Sequence, residues 1–363
     1  MKRSSLPTIA VLTTALTLSA CGGGGSSGST TSVVPVVPTS PVVAVMASQS
    51  FQTATAPTYA SNSEEMGYFN AVNAFRTSQG LGPLNQNTNY DLASAAHANY
   101  ANLNTFSHFE TVGLVGYTGG TPLQRVQYQA GVTLPNDSSG TAVQAGCSVA
   151  NPTQAQCVAN AVTEEMGLAA VGGYQGGPGV GAGFVAEALN TAYHRAGYMY
   201  QGLTDVGVSI GLTGISVSDI GYITQQANAG NYFGMYPTNG QTNVSLHPHP
   251  ENPNPLPAGT DFTTVGSPIS VASQETTTLK ITSFTVTQYG STIAMPAMIS
   301  TSANDPNILG SDNLAFLITN QAFLPNTTYN VSFTGTVSGT ATGASEGIPV
   351  TKNWSFTTGT ISD

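Results

Sequence analysis

The chain has only five histidines, so each can be weighed separately, with the acidic residues near them, as a group that could carry proton transfer or ligate a metal. His108 lies in Phe106-Ser107-His108-Phe109, just past a helical pattern, where a side chain can aim into a cavity. His194 holds a similar place in Tyr193-His194-Arg195, after another helical run. Glu164 and Glu165 are consecutive in Thr163-Glu164-Glu165-Met166, and in an extended segment only one of two neighbours faces a given side. An imidazole pair with one carboxylate is a set that could hold Zn²⁺ or position a water for general-base attack. His97 sits among alanines on a helix and reads first as a packed core histidine. His247 and His249 flank Pro248 in a Pro-rich stretch and read as solvent-facing. Gly207-Val208-Ser209-Ile210-Gly211 has the letters of a nucleophile elbow but lies in an alternating, strand-like run with no helix after it, so Ser209 is set aside.

These candidates sit in a chain with little charge. The 363 residues include 7 Lys+Arg and 17 Asp+Glu, so 7% is charged, against about 25% in an ordinary soluble domain. A net charge of −10 leaves too few cations to displace counterions from a phosphate backbone, which excludes nucleic acid as the main partner. The N-terminus has Lys2 and Arg3, an apolar run from Leu6 to Leu18, then Ser19-Ala20-Cys21. That run is too short to span a membrane and reads as an export signal over residues 1–20. Leu18-Ser19-Ala20-Cys21 resembles a bacterial lipobox, which implies lipidation of Cys21 and membrane attachment through that lipid, at the outer membrane or cell surface. Loss of residues 1–20 leaves 5 basic against 17 acidic residues, a net of −12. Residues 21–58, rich in Gly, Ser, Thr and Pro, read as a tether. Cys147 and Cys157 form an even pair in an exported chain and are expected to be disulfide-bonded, with metal ligation as the alternative.

The elements that must position the candidates follow from periodicity. Ser61 with Glu64 reads as a capping box, and Tyr68, Val72 and Phe75 recur at helical spacing until Gly80. A second helix follows Asn89, with Leu92, Ala96, Asn99 and Leu103 on one stripe. Thr121-Pro122 opens a short third helix, and Phe184, Val185, Ala188 and Ala192 suggest a fourth. From Asp205 the period changes to two, through Val206, Val208 and Ile210, with Ile220 and Tyr222 on a partner strand. Beyond Tyr236 short apolar runs alternate with Gly, Pro, Asn and Thr, the pattern of a β-sandwich. An α/β domain over 59–230 and an all-β domain over 231–360 are therefore expected.

Several motifs, taken in order, resemble the CAP superfamily of cysteine-rich secretory, antigen 5 and pathogenesis-related proteins, in its bacterial SCP-like form. They are Phe69-Asn70 through Arg76 with Gly80-Leu81-Gly82-Pro83-Leu84; Ala95-Ala96-His97-Ala98; Phe106-Ser107-His108; Leu123-Gln124-Arg125; Glu164-Glu165-Met166-Gly167; Leu189 through Arg195; and Asp205-Val206-Gly207-Val208. The resemblance implies a three-layer α-β-α sandwich with a central cleft, with His108 and His194 at its two histidine positions and Glu164 at one acidic position, Glu165 being the alternative. Thr191 stands near the second acidic position. Tyr236-Pro237, Glu251-Asn252-Pro253, Leu324 through Tyr329 and Trp354 through Thr358 resemble a bacterial Ig-like domain. The expectation is a lipid-anchored envelope protein whose cleft binds a small ligand, lipid or divalent metal, with a glycan among the possible partners of the protein. A metal- or histidine-dependent hydrolase and an adhesion module with a non-catalytic cleft are the alternatives.

Overall fold

The computed structural model describes residues 45–131, 161–168, 179–211, 214–308 and 311–360. The export signal, Cys21, most of the tether, Cys147 and Cys157 lie outside these residues. The helices are α1 (Glu64–Ser78), α2 (Thr88–Leu103), α3 (Pro122–Gln129), α4 (Val180–Leu189) and α5 (Tyr193–Met199). The first four strands are β1 (Asn85–Gln86), β2 (Ala161–Leu168), β3 (Asp205–Ser209) and β4 (Ile215–Tyr222). They form one sheet in the order β1-β3-β4-β2, parallel at β1/β3 and antiparallel elsewhere, with β2 on an edge.

Helices cover both faces of this sheet. Val206, Val208 and Ile220 pack with Tyr68, Val72, Phe184 and Val185 on the side of α1 and α4. Tyr90, Ala93, Leu123 and Val126 pack beside Val162, and Ala98 and Ala101 beside Ile215 and Val217, on the side of α2 and α3. Period-two alternation in the strands supplies both faces at once. Gly207 permits the close approach of α2, since a Cβ there would lie 2.1 Å from the Asp91 amide nitrogen.

Local signals set most helix ends. Thr121 caps α3 with Pro122 in its first turn, as the sequence suggests. The cap of α1 is Ser63, not Ser61: its side chain accepts from the Met66 amide. The fourth helical pattern is two helices, because the chain breaks after Leu189 and restarts at Tyr193, which puts His194 in the first turn of α5.

The remaining strands are β5 (Phe233–Tyr236), β6 (Gln241–Val244), β7 (Ile269–Ser273), β8 (Thr278–Gln288), β9 (Ala297–Thr301), β10 (Leu314–Thr319), β11 (Thr328–Gly339) and β12 (Ala344–Thr358). They make two sheets, β5-β7-β10-β9 and β6-β12-β11-β8. Val271 and Leu317 of the first share a core with Phe284, Val331, Phe333, Trp354 and Phe356 of the second. Trp354 is the cross-strand partner of Val331. The larger helical core also includes Ala272, Leu314 and Phe316, so apolar packing continues past residue 230 into these sheets.

Candidate functional site

The site is built around β2. Glu164 and Glu165 are the cross-strand partners of Asp219 and Ser218 on β4, and the alternation of the strand sends their side chains to opposite faces of the sheet. Both carboxylates are therefore used, each with its own histidine.

On the side of α2 and α3, Glu164 is buried and accepts a hydrogen bond from the Arg125 guanidinium. Its Oε1 lies 3.1 Å from His108 Nδ1 and 3.5 Å from His97 Nε2. His97 is fully buried, with Nδ1 2.9 Å from Glu110 Oε1 and Nε2 2.9 Å from the Ser107 carbonyl. Glu110 also accepts from the Thr118 and Gly119 amides, at 2.6 and 3.1 Å. Arg125 donates to the His108 carbonyl at 3.2 Å, so it fixes the turn that carries His108 as well as the carboxylate that meets it. Burial pushes Glu164 up, but Arg125 and the His108 hydrogen bond outweigh it and hold the carboxyl below its ordinary range. Asp219, buried and beside Glu164, is pushed well up by burial and by that charge, while Ser94 donates to it at 2.9 Å.

On the side of α5, Glu165 is buried and, among the described residues, has no Lys or Arg beside it. Burial, then the charges of Glu251 and Glu164, push it well above the ordinary range, and its Oε2 has no hydrogen-bond partner. His194 Nε2 lies 3.6 Å from that oxygen, and His194 Nδ1 lies 3.5 Å from Glu251 Oε2 and 3.3 Å from Thr191 Oγ1. Glu251 reaches in from the Pro-rich connection between β6 and β7. It accepts from the Ala192 and Tyr193 amides at 2.7 and 2.9 Å, filling donors that the first turn of α5 leaves open. Burial, followed by the neighbouring His108 and His249, lowers His194 to about 4, so its ring is neutral near pH 7. Gly197 lets α5 pack this closely, since a Cβ there would lie 2.8 Å from Glu165 Oε1.

The two rings are the accessible groups: the His108 side chain is 42% exposed and that of His194 25%, against 0% for Glu164 and 5% for Glu165. The structure thus joins His108 to Glu164 and sets His194 against Glu165 and Glu251. His97 is no plain core residue, because both its nitrogens are engaged in the network. His249 is half-buried near His194 rather than solvent-facing, its amide donating to the Asn190 carbonyl at 3.0 Å. Arg125, Glu110, Asp219 and Glu251 were not singled out as site residues by the sequence. Arg125 carried a signal as one of only seven basic residues, whereas nothing local marks Glu251.

An imidazole whose Nδ1 is held by an anionic carboxylate presents Nε2 as a base or hydrogen-bonding group. A neutral imidazole beside a protonated carboxyl offers donors and acceptors without net charge. Among the described residues no three His, Cys, Asp or Glu side chains are grouped to hold a metal ion.

No protein-family profile and no curated protein matches the sequence. Among solved structures the chain is similar to an extracellular protein containing an SCP domain from Bacillus anthracis str. Ames. That similarity has 17% identity and a TM-score of 0.30, and it covers 44% of this chain and 40% of the other, well under two thirds of either. No helix among the described residues is long and apolar enough to cross a membrane.

Proposed function

We propose that this is an exported envelope or surface protein of the CAP/SCP-like class, held to a membrane by lipid on Cys21, with an Ig-like domain over about 231–360. Its cleft binds a small, polar, uncharged ligand through the imidazoles of His108 and His194. The observation that carries the reading is the pairing of two accessible histidines with two buried glutamates on opposite faces of one edge strand. Arg125 neutralises Glu164, burial holds Glu165 and Glu251 above their ordinary range, and His194 is neutral near pH 7, so the site offers hydrogen-bonding groups and, among the described residues, no unpaired Lys or Arg. A charged ligand would lose hydration without gaining a counter-charge. Calorimetry on the protein, with a library of small polar molecules, lipid headgroups and glycans and with Zn²⁺ as a separate arm, tests this. Saturable binding of an uncharged ligand, lost in both His108→Ala and His194→Ala, is expected. Binding that survives both substitutions, or Zn²⁺ binding alone, overturns it.

A second reading, a hydrolase with His108 as general base, is favoured by the His108–Glu164 pair, a base with its orienting carboxylate. Turnover that persists in His108→Ala would exclude it.

A further inference from the structure

A groove of about 390 Å³ lies on the α5 side of β2, and its lining includes Thr163, Tyr193, Tyr200, Tyr222, Asn307 and Ser311. Among the described residues it contains none of the cleft residues His108, Glu164 or His194, and no Asp, Glu, Lys, Arg or His lines it. We propose that this groove is a binding site for a neutral saccharide, one or two sugar units of a glycan chain.

Three features carry the inference. Aromatic side chains supply ring faces for the C–H faces of a sugar, and here Tyr200 and Tyr222 lie nearly parallel, 26° apart, with centroids 6.2 Å apart. That separation makes them an offset pair of adjoining rings rather than a closed stack. The rings are also held in place before a ligand arrives. Tyr193 Oη lies 2.9 Å from Asp305 Oδ2, to which it donates, and accepts from Asn307 Nδ2 at 3.1 Å; Tyr200 Oη accepts from Gln225 Nε2 at 2.6 Å. Pre-set side chains cost less ordering on binding. Finally, the polar groups are hydroxyls and an amide, which match the hydroxyls of a sugar in donor and acceptor capacity. Without a charged wall, nothing in the groove favours a sulfated or uronic-acid sugar. The volume is at the small end for ligand pockets, which limits the bound portion to one or two units. Thr163, Tyr200 and Tyr222 come from the helix-flanked sheet and its helices, and Asn307 and Ser311 from the connection between β9 and β10, so the site needs both parts of the chain.

Saturation-transfer NMR and calorimetry on the protein decide it, with the trisaccharides of glucose and of N-acetylglucosamine as neutral probes, a sulfated oligosaccharide as the charged probe and phenol as the aromatic one. At least one neutral trisaccharide is expected to bind saturably. Tyr200→Ala and the exposed Asn307→Ala should each weaken it, the tyrosine change by about tenfold, while Tyr200→Phe largely retains it. Circular dichroism establishes that each variant is folded, and Asn307→Ala carries the test if Tyr200→Ala is not. Binding of neither trisaccharide, binding unchanged in Asn307→Ala and Tyr200→Ala, or tighter binding of the sulfated sugar or phenol overturns the proposal. His108→Ala separates this site from the cleft: sugar binding persists there even where the cleft ligand is lost.

Discussion

The two faces of β2 each bury a glutamate beside a histidine and stabilise it in opposite ways. On the α2 side the carboxylate stays ionised, because Arg125, His97 and His108 surround it. On the α5 side no Lys or Arg among the described residues meets Glu165, so burial pushes its carboxyl well above the ordinary range, and burial lowers His194 to about 4. A buried carboxyl must be paired or neutral, and adjacent residues on one strand here take one solution each. The accessible rings consequently differ in character: His108 is backed by a carboxylate paired with Arg125, and His194 by two buried carboxyls, Glu165 and Glu251, held above their ordinary range.

Removing the cation of the first pair should break the contrast most severely. Arg125→Met leaves Glu164 and Glu110 buried without their guanidinium, and a loss of about 3–5 kcal/mol is expected in denaturant unfolding at neutral pH.

The pH dependence of the two glutamates should run in opposite directions. Glu164, lowered on folding, contributes stability above the ordinary glutamate pKa of about 4.3 that is lost as pH falls through its folded value. Glu164→Gln should therefore be most damaging at neutral pH, the deficit shrinking in acid. Glu165, raised on folding, contributes stability below about 4.3 that is lost as pH rises toward its folded value. Glu165→Gln should gain on the wild type as pH rises from 4 to 8 in about the same denaturant assay. In NMR the His194 ring should titrate near 4; titration near the ordinary histidine value would remove the distinction between the faces.

Smaller effects sharpen the picture. Glu251→Ala uncaps α5 and should cost about 1–2 kcal/mol, seen as a lower unfolding midpoint with the α2 side unaffected. His108→Ala removes a half-exposed ring and should cost less than about 1 kcal/mol while abolishing cleft binding.

Much of the scaffold was legible in the sequence. Thr121-Pro122 announced α3, the alternation from Val206 announced β3, and the short apolar runs after Tyr236 correspond to strands of the two later sheets. These are local signals, because the period of apolar residues and the chemistry of a cap depend on neighbours in the chain. The site was legible only in part. The resemblance implies His108, Glu164 and His194 around one cleft, with Glu165 as the alternative acid; His108 and Glu164 are 3.1 Å apart, His194 lies against Glu165 and Glu251, and the alternation along β2 engages both glutamates.

Composition alone limits the means of stabilising a buried acid: with five histidines and seven Lys+Arg in the chain, few carboxyls can have a cation, and the rest depend on hydrogen bonds or a proton. Folding assigns Arg125 to Glu164, brings Glu251 across from the Pro-rich connection to cap α5 beside His194, and gathers three tyrosines into a groove with Asn307. Those outcomes depend on contacts between residues far apart in the chain, and no local pattern encodes them, since charge pairing and desolvation are set by what the fold brings within a few ångströms.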